Sequence, residues 1–303
     1  MLLRHDGRSL VAHAPAKINL FLEILSKRSD GYHELLTLMV SVGIYDTLSF
    51  REDDSNRIRL RAFDASSCRP AGSVSPFGVS AGRNNLVLRS AELLRSYAGV
   101  KRGVCVDLYK RIPVAAGLGG GSSDAAATLV ALNQLWDLGL NVGELTELAS
   151  QLGSDVGFFL SGASAALCRG RGEIVEPLSL PDGLHFVIAR PKSGLSTATV
   201  YENCQPSPRR HDVDGLVESI KRGQFAQTAD RLRNSLQATA EELNPHVKQL
   251  RERFSGQSLL GHMMSGSGTA YFGIGTSQRQ ALRVAGRLRA ANIGWVDVAQ
   301  SGP

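Results

Sequence analysis

Between Gly117 and Gly121 the chain places four glycines in five residues, and the pattern of the sequence changes on either side of them. Ahead lies Val104–Lys110, which reads as a short strand. Behind lie Ala125, Leu129, Leu132 and Trp136, spaced to fall on one face of a helix. A glycine turn between a strand and a helix narrows the possibilities sharply. Glycine permits positive φ and a close approach of backbone to a ligand. Successive N–H groups in such a turn converge into an anion nest. The helix that follows adds unpaired N–H groups and the positive end of its dipole. Ser122 and Ser123, at the helix start, either cap it or turn their hydroxyls toward phosphate or Mg²⁺. A plain tight turn is the competing reading of the loop alone. It is not a Walker A loop, since no Gly-Lys-Ser/Thr follows. Nor is it a dinucleotide fingerprint, because the preceding strand opens no βαβ unit and no acidic ribose ligand stands out downstream.

The 303 residues leave room for two domains or one large one. A formal net charge of +6 is dispersed over most segments, which suits a solvated basic surface better than a nucleic-acid footprint. Cys68, Cys105, Cys168 and Cys204 show no metal-ligand spacing and read as reduced thiols of a cytoplasmic protein. No secretory leader and no apolar run of membrane-spanning length is visible, so no membrane association is expected. Strands are predicted around Ala16–Leu22, over Leu35–Tyr45 and Thr47–Phe50, and as an alternating, exposed strand from Arg57 to Ala62. Asp64–Arg83 reads as a surface loop and Leu86–Tyr97 as a helix. A further helix is predicted over Val142–Leu152, with Leu145, Leu148 and Leu152 inward and Gly153 stopping it at C′. The second half begins near residues 160–175. It has strands at Ala163–Leu167 and His185–Ala189, a polar helical stretch at Asp212–Arg253, and a turn into a strand from Met264. A helix at Gln278–Ala290 and a strand at Ile293–Ala299 close it.

Pro113-Val-Ala-Ala-Gly117-Leu118-Gly119-Gly120-Gly121-Ser122-Ser123-Asp124 resembles the phosphate loop of the GHMP kinases. Ala14-Pro-Ala-Lys17-Ile-Asn19-Leu20 resembles the first motif of that superfamily. Met264-Ser-Gly-Ser-Gly-Thr-Ala270 resembles the third, a small-residue loop that packs beside the phosphate loop. The resemblance implies a two-domain α+β fold. Residues 1–165 would form a ribosomal protein S5 domain 2-like N-terminal domain, and residues 166–303 a ferredoxin-like C-terminal domain, with the site residues lining the cleft between them. Arg28-x-Asp-Gly-Tyr32-His33-Glu, Leu132–Trp136, Leu152-Gly-Ser-Asp155-Val, Gly170-Arg-Gly-Glu173, Asn85–Leu88 and Ser196–Tyr201 are similar to one branch of the superfamily. That branch uses ATP to phosphorylate the 2-hydroxyl of a cytidine diphosphate ester of methylerythritol, in the non-mevalonate isoprenoid route. The resemblance weakens at residues 1–10, 64–83 and 212–253. Gly157 stands where the branch often has proline, and Ala115-Ala116 where some relatives have glycines.

Phosphoryl transfer asks for positioning and charge neutralisation, plus a group to take the hydroxyl proton. By resemblance Asp155 is that group and Lys17 the ammonium beside it. A helix N-cap is the alternative reading of Asp155, and a solvated strand-edge charge that of Lys17. Tyr32 and Tyr201 resemble the residues that sandwich cytosine, and His33 the one that reads its edge. The Asp-Gly turn is expected to put Tyr32 and His33 near the surface. Asn19 and Thr197 resemble contacts to the alcohol or diphosphate. For ATP, Asn85 and Leu86 resemble positions near adenine. Lys110 resembles one near the phosphates, with Pro113 and Gly117–Ser123 cradling them. Mg²⁺ is expected with ATP, held by Ser123 or Asp124 or by phosphates and water alone. The branch implies a monomer or weak homodimer. Another GHMP kinase acting on a sugar, homoserine or mevalonate-type alcohol stays open, as does a non-catalytic binder.

Overall fold

The computed structural model of the chain describes residues 2–6, 9–65, 69–70, 80–181, 183–207 and 209–302. In chain order the elements are β1 (Leu2–Asp6), β2 (Ser9–Lys27), β3 (His33–Asp53), β4 (Ile58–Asp64), β5 (Arg69–Pro70), α1 (Leu86–Ala98), β6 (Gly103–Lys110), α2 (Gly120–Leu135), α3 (Val142–Ser150) and α4 (Val156–Leu160). There follow β7 (Ala165–Arg169), β8 (Ile174–Leu178), β9 (His185–Arg190), α5 (Thr197–Asn203), α6 (Val213–Lys221), α7 (Phe225–Asp230), β10 (Arg233–Asn234), α8 (Gln237–Leu243), α9 (Pro245–Ser255), β11 (Gly261–Met264), β12 (Tyr271–Gly275), α10 (Gln278–Ala290) and β13 (Trp295–Gln300). Two compact units form. The first takes the chain up to Ala16, then Ile44–Val114 and Gly119–Gly162; the second takes Lys17–Gly43, Ala115–Leu118 and the chain from Ala163 onward. One change of unit falls at Gly162–Ala163. The others arise because β2, β3 and the glycine loop each run from one unit into the other.

In the first unit β1 folds back on the start of β2, from Leu2↔His13 to Asp6↔Ser9. The end of β3 pairs antiparallel with β6 from Thr47↔Tyr109 to Asp53↔Gly103, and β6 runs parallel to β4. Helix α1 begins where the Asn85 side chain accepts from the Val87 N–H and ends at Gly99, whose φ of 64° satisfies the last carbonyls. Helix α3 opens on a capping box between Asn141 and Glu144. Helix α2 buries more than the one face its large residues suggest. Ala125, Leu129, Leu132 and Trp136 are buried, but so are Ala126, Ala127, Thr128 and Ala131, so it runs through the interior of its unit.

In the second unit the front of β3 pairs with β7 from Thr37↔Cys168 to Val40↔Ala165, β7 carries β8, and β10 joins β2 in parallel at Phe21 and Leu22. A separate sheet has the order β11-β12-β9-β13, with α9 and α10 packed against its strands. Val187, Val247, Phe254, Tyr271, Val284 and Leu288 form part of the core beneath it.

Several expectations are corrected. Leu35–Tyr45 and Thr47–Phe50 are one strand, because Asp46 continues β3 with its carboxylate bonded inside the protein. Gly153 does not stop α3 in a left-handed conformation. The cap is Gln151, and the Gly153 amide simply bonds back to the Ala149 carbonyl. Asp212–Arg253 is helical as expected, in four short helices with β10 among them, whereas strands β8 and β11 were not predicted. The surface loop expected at Asp64–Arg83 lies largely outside the described residues. No helix among the described residues is long and apolar enough to cross a membrane.

The packing of α2 gives a direct test. Leu132→Ala, at a fully buried site, should lower unfolding free energy by about 2–5 kcal/mol. Leu282→Ala, on the exposed side of α10, should stay within about 0.5 kcal/mol of the parent. Denaturant midpoints of the two variants check the contrast, and equal losses would mean the α2 face is misassigned.

Candidate active site

The glycine loop makes its tightest approach in the second unit. Gly117 has a φ of 75°, and a Cβ placed on it would stand 2.1 Å from the carbonyl oxygen of Ser265. No side chain fits there, so the backbone of the loop lies directly on the small-residue segment Met264–Ala270. Hydrogen bonds fix the contact: Ser265 Oγ donates to the Gly117 carbonyl at 3.0 Å, and the Ala270 amide to the Ala116 carbonyl at 2.9 Å. The Lys17 amide donates to the Leu118 carbonyl at 2.9 Å, which brings the first motif to the same place. Asn234, from the region of weak resemblance, steadies the segment by donating to the carbonyls of Met264 and Gly266 at 2.9 and 2.8 Å. Ala115 has a φ of 50°, the left-handed region where glycine is at ease.

Lys17 is buried, with 3% of its surface exposed, and its ammonium donates to Asn19 Oδ1 at 2.7 Å. Asn19 is oriented in turn. Its amide group donates to Thr37 Oγ1 at 2.8 Å, and Thr37 donates to the Phe21 carbonyl at 2.6 Å. Lys17 is therefore no solvated strand-edge charge.

In the first unit Gly119, at a φ of 69°, stands at the cap of α2, and no side chain bonds the cap. The first amides of the helix are thus left to whatever binds there. Asn85 is held as the cap of α1, and Leu86 lies beside Gly121, 3.4 Å from where its Cβ would be. The turn before α4 lies alongside, since a Cβ on Gly153 would come within 3.9 Å of Ser122 Oγ. Asp155 holds the cap position of α4, yet its side chain makes no capping bond. The alternative reading of this residue as an N-cap is not realised.

Lys110 is fully buried. Its ammonium donates to Asp124 Oδ2 at 2.8 Å and to Asp46 Oδ2. Burial opposes its charge, but the two carboxylates outweigh that and hold its pKa above the ordinary lysine value. Burial, with Asp46 close by, raises the Asp124 carboxyl to about 7 against the pull of Lys110. Asp124, buried and bonded to Lys110, points inward rather than out to solvent. Its Oδ1 and the hydroxyl of Ser123 are buried without a hydrogen-bond partner. Among the described residues no group of three or more His, Cys, Asp or Glu side chains could hold a metal ion.

The residues expected around a base lie in the second unit. Tyr32 is 54% exposed, and the guanidinium of Arg171 sits over its ring at 4.7 Å. His33 is not near the surface as expected. Strand β3 starts at this residue and carries the ring inward, to 5.6 Å from the Tyr201 ring and 3.9 Å from Cys204 Sγ. Burial, then the charge of Lys27, lowers its pKa below the ordinary histidine value. Thr197 lies at the start of α5 and shares a hydrogen bond of 2.9 Å with Ser267 of the small-residue segment. Thr37, Asp46, Asn234 and Arg171 were not singled out from the sequence. Asp46, an acidic residue in an apolar strand, and Arg171, inside the Gly170–Glu173 motif, carried signals that could have found them.

The model of the GHMP kinase N-terminal domain matches residues 85–163, and that of the GHMP kinase C-terminal domain residues 216–294. A 4-diphosphocytidyl-2-C-methyl-D-erythritol kinase from Pelotomaculum thermopropionicum is 43% identical over 92% of this chain and 94% of its own length. A crystal structure of 4-(cytidine 5′-diphospho)-2C-methyl-D-erythritol kinase superposes with a TM-score of 0.79 at 36% identity, covering 97% of this chain and all of that one. A homoserine kinase from Cytophaga hutchinsonii, 20% identical, superposes with a TM-score of 0.69 over all of this chain and 97% of its own, a likeness of fold alone.

Two outcomes are expected from this geometry. Gly117→Ala should lower stability by more than about 2 kcal/mol and abolish nucleotide binding, whereas Ala115→Gly should stay within about 1 kcal/mol of the parent. Thermal unfolding with and without nucleotide separates them. The unfolded state takes up a proton at His33 before the folded state does. Stability contributed there is therefore intact above the ordinary histidine pKa and falls as pH drops through it. His33→Gln should flatten that part of the stability–pH curve, and an unchanged slope would assign it to other groups.

Proposed function

We infer that this chain, which belongs to the GHMP kinases and within them to the 4-diphosphocytidyl-2-C-methyl-D-erythritol kinases, transfers the terminal phosphate of ATP to the 2-hydroxyl of that cytidyl alcohol. It is an ATP-dependent small-molecule kinase. The observation that carries the site assignment is the glycine loop. Its backbone is fixed by the contact of Gly117 with Ser265, while the start of α2 at Gly120–Ser122, which no side chain caps, offers its amides to an anion. We assign the phosphates of ATP to Pro113 and Gly117–Ser123, with Lys110 lending its charge from beneath Gly120. Asn85 and Leu86 go to the adenine side.

Asp155 is assigned as the group that receives the hydroxyl proton or orients the hydroxyl, and Lys17 as the cation that offsets charge on the transferring group. The oriented, buried position of Lys17 supports this role. Cytosine is assigned to Tyr32, His33 and Tyr201, where stacking on an aromatic ring contributes about 1–3 kcal/mol per base. His33, neutral near pH 7, offers one donor and one acceptor to the base edge. Asn19 and Thr197 are assigned to the alcohol and diphosphate portions. Magnesium fits the donor chemistry at the loop. Ser123 Oγ and Asp124 Oδ1 are buried oxygens lacking partners, and they would hold the ion, which neutralises phosphate charge when bound.

ADP release measured with the cytidyl alcohol, homoserine, mevalonate and galactose tests the substrate. Turnover confined to the cytidyl compound is expected, and turnover with a different alcohol alone would replace the assignment. Asp155→Asn should cut kcat by about 100-fold or more while leaving nucleotide affinity within about twofold. Parent-like turnover in that variant would remove Asp155 from the chemistry.

A further inference from the structure

We infer that Asp46 is a positioning residue for the phosphates of the nucleotide, acting through Lys110 and through the backbone of Arg111 and Ile112. The inference rests on the reading of Gly117–Ser123 as the nucleotide loop. Asp46 is completely buried in β3, between Tyr45 and Thr47. A carboxylate in such a strand is costly unless every lone pair is used. Here Oδ1 accepts from the Arg111 amide at 2.6 Å and the Ile112 amide at 2.9 Å, and Oδ2 accepts from Lys110.

These bonds are placed where the sheet lets go of the chain. The antiparallel ladder between β3 and β6 ends at Thr47↔Tyr109, and the parallel ladder with β4 ends at Asp64↔Lys110. Beyond that register no strand among the described residues pairs with the amides of residues 111 and 112. The Asp46 side chain takes both, so it sets the direction in which the chain leaves the sheet toward Pro113 and the glycine loop. The two side chains held this way then fix the start of α2. A Cβ on Gly120 would stand 2.9 Å from Ile112 Cγ2 and 3.1 Å from Lys110 Nζ, so the first residue of the helix rests on both. Lys110 also bonds Asp124 within the first turn of the helix. One carboxylate thereby locates the strand end, the ammonium and the amides of the loop with respect to each other. A carboxylate that only held the sheet together would serve as well one register earlier, with no contact to residues 110–112.

The test uses the full-length chain and a fluorescent ATP analogue. Asp46→Asn keeps the size of the side chain and the oxygen that accepts from residues 111 and 112, but it removes the charge facing Lys110. Asp46→Ala removes both. Dissociation constants for the analogue and steady-state constants for ATP and for the acceptor alcohol are measured beside unfolding temperature. We expect Asp46→Asn to raise the dissociation constant and KM for ATP by about tenfold, with the KM for the acceptor within about twofold, and Asp46→Ala to exceed it. The double variant Lys110→Met with Asp46→Asn removes one cation and one anion together, so no new net charge is buried should the single variant fold poorly. It too should weaken the analogue by tenfold or more. Parent-like nucleotide affinity in a folded Asp46→Asn or double variant overturns the inference. So does an equal loss for both substrates that tracks unfolding temperature. If the parent chain itself failed to bind the analogue, the nucleotide-loop reading would fall first.

Discussion

The contact between Gly117 and the Ser265 carbonyl is made by backbone on both sides, and it fixes how the glycine loop, the first motif and the small-residue segment meet in the second unit. With only 2.1 Å between that oxygen and an added Cβ, any L-residue would force the two segments apart. The demand is mutual. Gly266 faces Gly117 in the same way, its Cβ position 3.2 Å from the Gly117 carbonyl and 3.4 Å from Asn19 Oδ1. Small residues in both segments are thus a consequence of close approach. Three stretches far apart in the chain, around Lys17, Gly117 and Ser265, are held together mainly by backbone groups. The residues between can vary as long as they stay small.

Side chains with charge are oriented by chains of bonds that end on backbone. Lys17 leans on Asn19, Asn19 on Thr37 and Thr37 on the Phe21 carbonyl, so the position of the ammonium is set by β2 and β3. Lys110 is set by two carboxylates instead, one on β3 and one on α2. Removing one member of such a cluster would leave a buried charge uncompensated, which is worse by several kcal/mol than never having built it. That expense is hard to justify as fold stabilisation, because apolar residues would fill the same volume more cheaply. On our assignment of the loop to ATP, its use is to hold an ammonium fixed beside the phosphates.

Long periodic segments were legible in the sequence: α10 spans the residues expected of it, and α1, β6 and α2 lie within a few residues. The glycine loop and the two other motifs were legible too, because their chemistry is local. What escaped was set by distant partners. Asp46 looked like an interruption of a strand because nothing nearby shows that it meets residues 111 and 112. His33 was expected at the surface because its turn is read locally, whereas Tyr201 and Cys204, which help to bury it, come from α5 and its end. Asn234 fell in a stretch that reads only as polar and helical, though it clamps the Met264–Gly266 backbone. In each case the informative neighbour lies at least 30 residues away.

Helix α4 brings the same logic to the chemistry. It has only five residues, and a helix so short depends on its ends. A capping bond from the residue ahead of it would contribute about 1 kcal/mol. Asp155 occupies that position with helical φ and ψ of −79° and −9°, and its side chain makes no capping bond. The stabilisation given up is small, comparable to one ordinary hydrogen bond. A proton acceptor that is absent or misdirected would instead lose a factor of a hundred or more in rate. On the assignment of Asp155 to the hydroxyl proton, the capping energy forgone at α4 is small beside what the chemistry needs.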